Sequence, residues 1–143
     1  MKPFSQDLYD NNDWVKHLFV DILNSVDTHN ARINPNQYGI DIITDDFDFE
    51  VEIKHNWKGK EFPYDTMHYA NRKRKFISPS SFFVTFNSNA TRYFITHSNA
   101  LVAQPLIIKG TTLTQREEFI VVPVRLGYFN DVPRELRKAY PWV

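Results

Sequence analysis

Two carboxylates and an amine are spaced along residues 41–54 so that one pair of strands would bring them together. From Phe47 to Lys54 the chain alternates strictly. Phe47, Phe49, Val51 and Ile53 fall on one face of an extended strand, and Asp48, Glu50, Glu52 and Lys54 fall on the other. Asp41 interrupts the apolar stretch just before it. Acids beside an amine suit a divalent cation held against a phosphate. Magnesium takes one or two carboxylates and completes its shell with water and phosphate oxygens. The cation lowers the pKa of an attacking water. Asp41 and Glu52 are the expected ligands, with the Ile53 carbonyl as a further oxygen. Lys54 is placed to orient or deprotonate the water, or to neutralise the developing charge. Mg²⁺ or Mn²⁺ is therefore the expected cofactor.

An Asp at a strand end followed, after 10 to 30 or so residues, by Glu-X-Lys on the next strand resembles the PD-(D/E)XK nuclease superfamily, the restriction-endonuclease-like fold. Asp41 matches the first acid, and Glu52-Ile53-Lys54 matches the tripeptide. The direct resemblance covers residues 37–55. It implies one α/β domain over residues 1–143, a mixed central sheet flanked by helices, with Asp41 and Glu52 as metal ligands and Lys54 as the catalytic lysine. Ile40 stands where the motif's name has Pro. Many members add a Glu from the first helix, but no Glu precedes Glu50 here. Asp13 and Asp21 are candidate substitutes, and Glu50 is a candidate secondary ligand, although an exposed acid is its simpler reading.

The elements that must position these residues follow from periodicity. Val15, Leu18, Phe19, Ile22 and Val26 form an apolar stripe at helical spacing, which predicts a helix from Asp13 to about Val26, capped by Asn11, Asn12 or Asp13. Residues 37–44 and 47–55 predict a hairpin around Asp45-Asp46. Residues 57–63 read as loop and 65–76 as a short helix ending in a basic run. Strands are expected at 81–86, 92–96 and 119–124, a helical turn at 98–104, and a last helix over 132–140. Pro123 suggests an edge position or strand end.

Net charge is zero, but its distribution is uneven. Residues 1–53 carry 3 Lys or Arg against 11 Asp or Glu, and the remainder carry 14 against 6. Acid followed by base is compatible with a protein that holds a metal and grips phosphates. On a helix, His68, Arg72 and Lys75 would form one stripe, and with Lys58, Lys60 and Lys73 they are the expected DNA-backbone contacts. The five histidines show no zinc-ligand spacing, and there is no cysteine.

These features lead to a metal-dependent DNA endonuclease, with a homodimer as the natural way for a small enzyme to cut both strands. The absence of a long apolar run and of a signal-peptide core predicts a cytoplasmic protein with no membrane partner. Exposed strand faces also carry Glu and Lys as plain cross-strand pairs. A non-catalytic nucleic-acid-binding or assembly module on the same fold is thus the alternative.

Overall fold

The computed structural model describes residues 13–26, 30–110 and 116–140. Helix α1, Trp14–Val26, buries Trp14, Val15, Leu18, Phe19 and Ile22. This is the expected stripe except for its last member, since Val26 is exposed. Asn11 and Asn12 lie outside the described residues. Asn24 then pins the chain leaving the helix. Its Nδ2 donates to the Ala31 carbonyl at 3.1 Å, and its Oδ1 accepts from the Ala31 amide at 2.9 Å.

Strands β1 (Arg32–Ile33), β2 (Ile42–Ile43) and β3 (Asp48–Ile53) follow as an antiparallel meander. The turn before β3 is held by Thr44, whose Oγ1 accepts from the amides of Asp46 and Phe47 at 3.2 and 2.8 Å. The hairpin is as expected, although β2 is only two residues long and Asp41 lies just before it. Strand β4 (Thr66–Ala70) and a 3-10 helix (Asn71–Phe76) come next, then β5 (Ser81–Phe86) and β6 (Arg92–His97). A second 3-10 helix (Ser98–Leu101), β7 (Leu106–Gly110), β8 (Arg116–Pro123), a third 3-10 helix (Val124–Leu126), β9 (Tyr128–Asp131) and α2 (Arg134–Lys138) complete the order.

The strands form two sheets. The larger runs β1-β2-β3-β5-β6-β9, and the smaller β4-β8-β7. Within the larger sheet β3 and β5 are parallel and the other pairs antiparallel, so the sheet is mixed. Its first face carries a core of Phe49, Val51, Val84 and Phe86 packed against α1, with Leu136 and Ala139 at the C-terminal end. The second face meets the small sheet. Trp57, Met67, Tyr69, Phe83, Phe94, Leu101, Ile120 and Val122 make that core. The expected mixed sheet is present, with helices flanking one face and a second, three-stranded sheet covering the other.

Residues 65–76 depart furthest from expectation. Met67 and Tyr69 are fully buried two residues apart, which is strand periodicity, and Thr66–Ala70 pair with Phe119–Pro123 of β8. The basic run makes only the 3-10 helix. His68, Arg72 and Lys75 thus do not share a helical stripe. Strand β8 is central in its sheet, and Pro123 sits at its end, where a missing amide costs least. Among the described residues no helix is long and apolar enough to cross a membrane.

Candidate functional site

The polar face of β3 is not the solvated surface that its alternation suggests. In the parallel register Glu50 lies beside Phe83 and Glu52 beside Thr85, while Phe83 and Tyr69 stack edge-on across the two sheets at 5.4 Å. Both glutamates consequently point into the layer between the sheets. Glu50 is buried, at 8% exposure.

The 3-10 helix closes over them. Lys73 reaches in with its side chain 14% exposed, and its Nζ lies 3.4 Å from Glu50 Oε2 and 3.1 Å from Glu52 Oε2. The Thr85 hydroxyl donates to Glu52 Oε1 at 3.4 Å. Asp41 adds a third carboxylate. The antiparallel pairing of Ile42 with Phe49 brings it alongside β3, where its Oδ2 accepts from the Val51 amide at 2.8 Å. Its Oδ1 takes the Lys16 ammonium at 3.0 Å, and Lys16 also pairs with Asp13 at 2.9 Å.

The electrostatics follow from burial. Desolvation, with the nearby Asp41 charge adding to it, raises the Glu50 carboxyl to about 7 against the pull of Lys73. Desolvation pulls Lys73 down, but Glu52, Glu50 and Asp41 outweigh it and hold the ammonium above its ordinary value. Lys16 is raised in the same way, with Asp13 and Asp41 outweighing its burial. Glu50 Oε1 is buried and accepts no hydrogen bond. A buried carboxylate oxygen beside another acid needs either a proton or a cation. The donor set suits a hard divalent ion, which binds oxygen. As the side chains stand, no group of three or more His, Asp or Glu among the described residues surrounds a common metal position. Lys73 sits where such an ion would neutralise Glu50 and Glu52.

Lys54, the next residue on the same face, belongs to a different environment. With Asn56, Tyr64, Thr66, His68 and Lys109 it lines an open pocket of about 210 Å³. Lys109 Nζ lies 2.8 Å from His68 Nδ1, and His68 Nε2 lies 3.2 Å from Thr66 Oγ1. The loop leading there is anchored by Trp57, fully buried against Phe62 and Phe129. Asn87 ties the same loop to the β5–β6 turn by donating to the Gly59 carbonyl at 2.8 Å.

The remaining expected site residues scatter. Asp13 joins the cluster only through Lys16, and Asp21 accepts from the Tyr140 hydroxyl at 2.7 Å on the helical face. Ile53 ends β3 and packs its side chain into the first core. Lys58 is exposed, and Lys60 approaches Asp131 at 3.6 Å. Arg72 pairs with Glu117 on the surface, and Lys75 lies 5.0 Å from the Phe76 ring centroid. Lys73 is the exception among these bases, drawn inward to the acids. Lys16 and Lys109 were not anticipated. Lys16 carries a signal in retrospect, four residues ahead of Val20 on the edge of the α1 stripe, whereas Lys109 sits in a strand that the sequence reading missed. No family model matches the chain, and neither a curated protein nor a solved structure is similar to it.

Proposed function

We propose that the chain is a metal-dependent DNA endonuclease of restriction-endonuclease-like architecture, which hydrolyses phosphodiester bonds by in-line attack of water. The observation that carries this reading is the gathering of Asp41, Glu50 and Glu52 along β3, with the buried Glu50 Oε1 lacking any hydrogen-bond donor. A helix followed by an antiparallel β2–β3 hairpin, with Asp41 just before β2 and Glu52 on β3 of a mixed sheet, supports the reading. Asp41 and Glu52 would hold Mg²⁺ or Mn²⁺, with the Ile53 carbonyl and Glu50 as further oxygens. The ion would supply positive charge against the phosphate and a lowered pKa for bound water. Lys54, with no carboxylate partner among the described residues, orients the phosphate and the attacking water. Lys73 holds Glu50 and Glu52 together and would compete with the ion for their oxygens.

Lys73 also supports the second reading, a nucleic-acid-binding module without hydrolysis, because an ammonium between two acids already neutralises them. Cleavage of supercoiled plasmid in Mg²⁺ or Mn²⁺ separates the two. Nicking that is lost in Asp41→Asn, Glu52→Gln and Lys54→Ala, each with wild-type folding, is the expected result. Intact plasmid with the wild-type protein, together with metal-independent DNA binding, would favour the module.

A further inference from the structure

The basic pocket beside the acids has its own chemistry. His68 Nδ1 accepts from the Lys109 ammonium, so Nε2 carries the ring proton and donates to Thr66 Oγ1. The Thr66 hydroxyl and the Lys109 and Lys54 ammonium groups thus line the pocket as hydrogen-bond donors. Among the described residues no carboxylate lies within ion-pair distance of Lys54 or Lys109. Lys109 instead rests over the Phe119 ring, 4.4 Å from its centroid. Two ammonium groups held close without a counter-ion are costly unless an anion joins them. Burial, with the nearby Lys54 charge adding to it, lowers the pKa of Lys109. A cavity of about 210 Å³ has room for a phosphate group.

The rim of the pocket narrows the choice of anion. Tyr64 lines it, is 55% exposed, and is propped edge-on by Phe62 at 5.5 Å. An exposed aromatic ring backed by another beside a phosphate-sized basic cavity can serve as a stacking platform for an unpaired base. A base within a duplex would not present its face there.

We propose that Lys54, Thr66, His68 and Lys109 hold one phosphate of an unpaired nucleotide strand, whose neighbouring base stacks on Tyr64. This deepens the nuclease reading by naming single-stranded nucleic acid, or the unpaired segment of a branched one, as the substrate class, and it rests on that reading only for what happens to the strand afterwards. The pocket joins the two sheets, since Lys54 extends from β3 while Thr66, His68 and Lys109 come from β4 and β7.

The test is the binding of a fluorescent oligothymidylate to the full chain in EDTA, where no metal chemistry intervenes. Lys109→Gln is expected to weaken binding about tenfold and to reduce the slope of log affinity against log salt by about 0.7, the value for one phosphate of a single strand. Lys109→Arg should restore both. Tyr64→Ala should weaken binding about tenfold with the salt slope unchanged, because stacking releases no counterions. Inorganic phosphate should compete with the strand for wild type and not for Lys109→Gln. Unaltered affinity and slope in both variants would overturn the proposal. Phosphate binding that depends on Lys109, with Tyr64→Ala silent, would also overturn it in favour of a free-phosphate pocket. Plasmid cleavage is unaffected by any outcome in EDTA, so failure here and failure of the nuclease reading remain distinct.

Discussion

Glu52 and Lys54 occupy adjacent positions on one face of the same strand extension, yet their surroundings are opposite. At Glu52 two glutamates point into the layer between two sheets and share the buried Lys73 ammonium, while Asp41 beside them is paired with Lys16. At Lys54 two ammonium groups and a histidine face an open cavity, and among the described residues no acid pairs with either ammonium. The difference comes from the cover. The 3-10 helix reaches over the glutamates, while the strand before it, β4, turns Thr66 and His68 toward the cavity. A charge that is closed off must be satisfied from within the chain, and a charge left at a pocket mouth can be satisfied by a ligand. On the proposed reading the acidic end would take an ion and the basic end an anion, one side-chain step apart. A phosphodiester with its metal ion presents that sequence of charges.

The largest expected effect is at the closed end. Lys73→Ala leaves Glu50 and Glu52 without their buried partner and should cost about 3 kcal/mol, read from urea denaturation. Combining it with Glu50→Gln should recover much of that loss. A cost near zero would mean that Lys73 is a surface lysine and that the closed end is open after all.

Acidity comes next in size. The folded-state value of Glu50, about 7, lies above its ordinary 4.5, so the folded chain binds more protons between these limits. Stability from this group is therefore greatest below about pH 4.5, declines as pH rises through 7, and is lost above it. The stability advantage of Glu50→Gln over wild type should accordingly grow from pH 5 to pH 8. Urea midpoints at the two pH values measure it, and a difference independent of pH would place Glu50 in contact with water.

At the open end the same substitution chemistry should leave folding almost untouched. Lys109→Gln relieves repulsion and removes no ion pair, so its stability should stay within about 0.5 kcal/mol of wild type or rise slightly. Smallest of all is Arg72→Ala, whose pair with Glu117 is at the surface and should be worth about 0–1 kcal/mol. A thermal melt of either variant that fell by many degrees would erase the contrast between the two ends.

Much of this architecture is legible in the sequence, and the failures have a common cause. The α1 stripe and the 45–46 turn follow from periodicity and turn residues, and β5 and β6 follow from short apolar runs around a polar turn, with Val84 and Phe86 in the first core and Phe83 and Phe94 in the second. The strict alternation over 47–54 marks a strand and separates its two faces. It does not say what covers the polar one. That cover is residues 66–76, where Met67 and Tyr69 alternate as a strand does, while the following Arg72-Lys73-Arg74-Lys75 invites a helical reading. The outward helix expected there would have left Glu50 exposed and Lys73 on a DNA-binding surface. Strands β1, β7 and β9 escape because they are short or follow no alternation, and with β7 went Lys109. The spacing singles out Asp41, Glu52 and Lys54 as candidates. That Lys54 stands apart from the two acids depends on β7 and on the loop pinned by Trp57, both long-range features.

The central claim is that the acidic end is a divalent-cation site and not a finished salt bridge. Calorimetric titration of the metal-free protein with Mn²⁺ tests it most directly, comparing wild type with Glu52→Gln and with Lys73→Met. One site in wild type, lost in Glu52→Gln and tightened when Lys73 no longer competes, is the predicted result. No binding by any of the three, or binding indifferent to Glu52, would contradict the account and leave Lys73 as the permanent partner of Glu50 and Glu52.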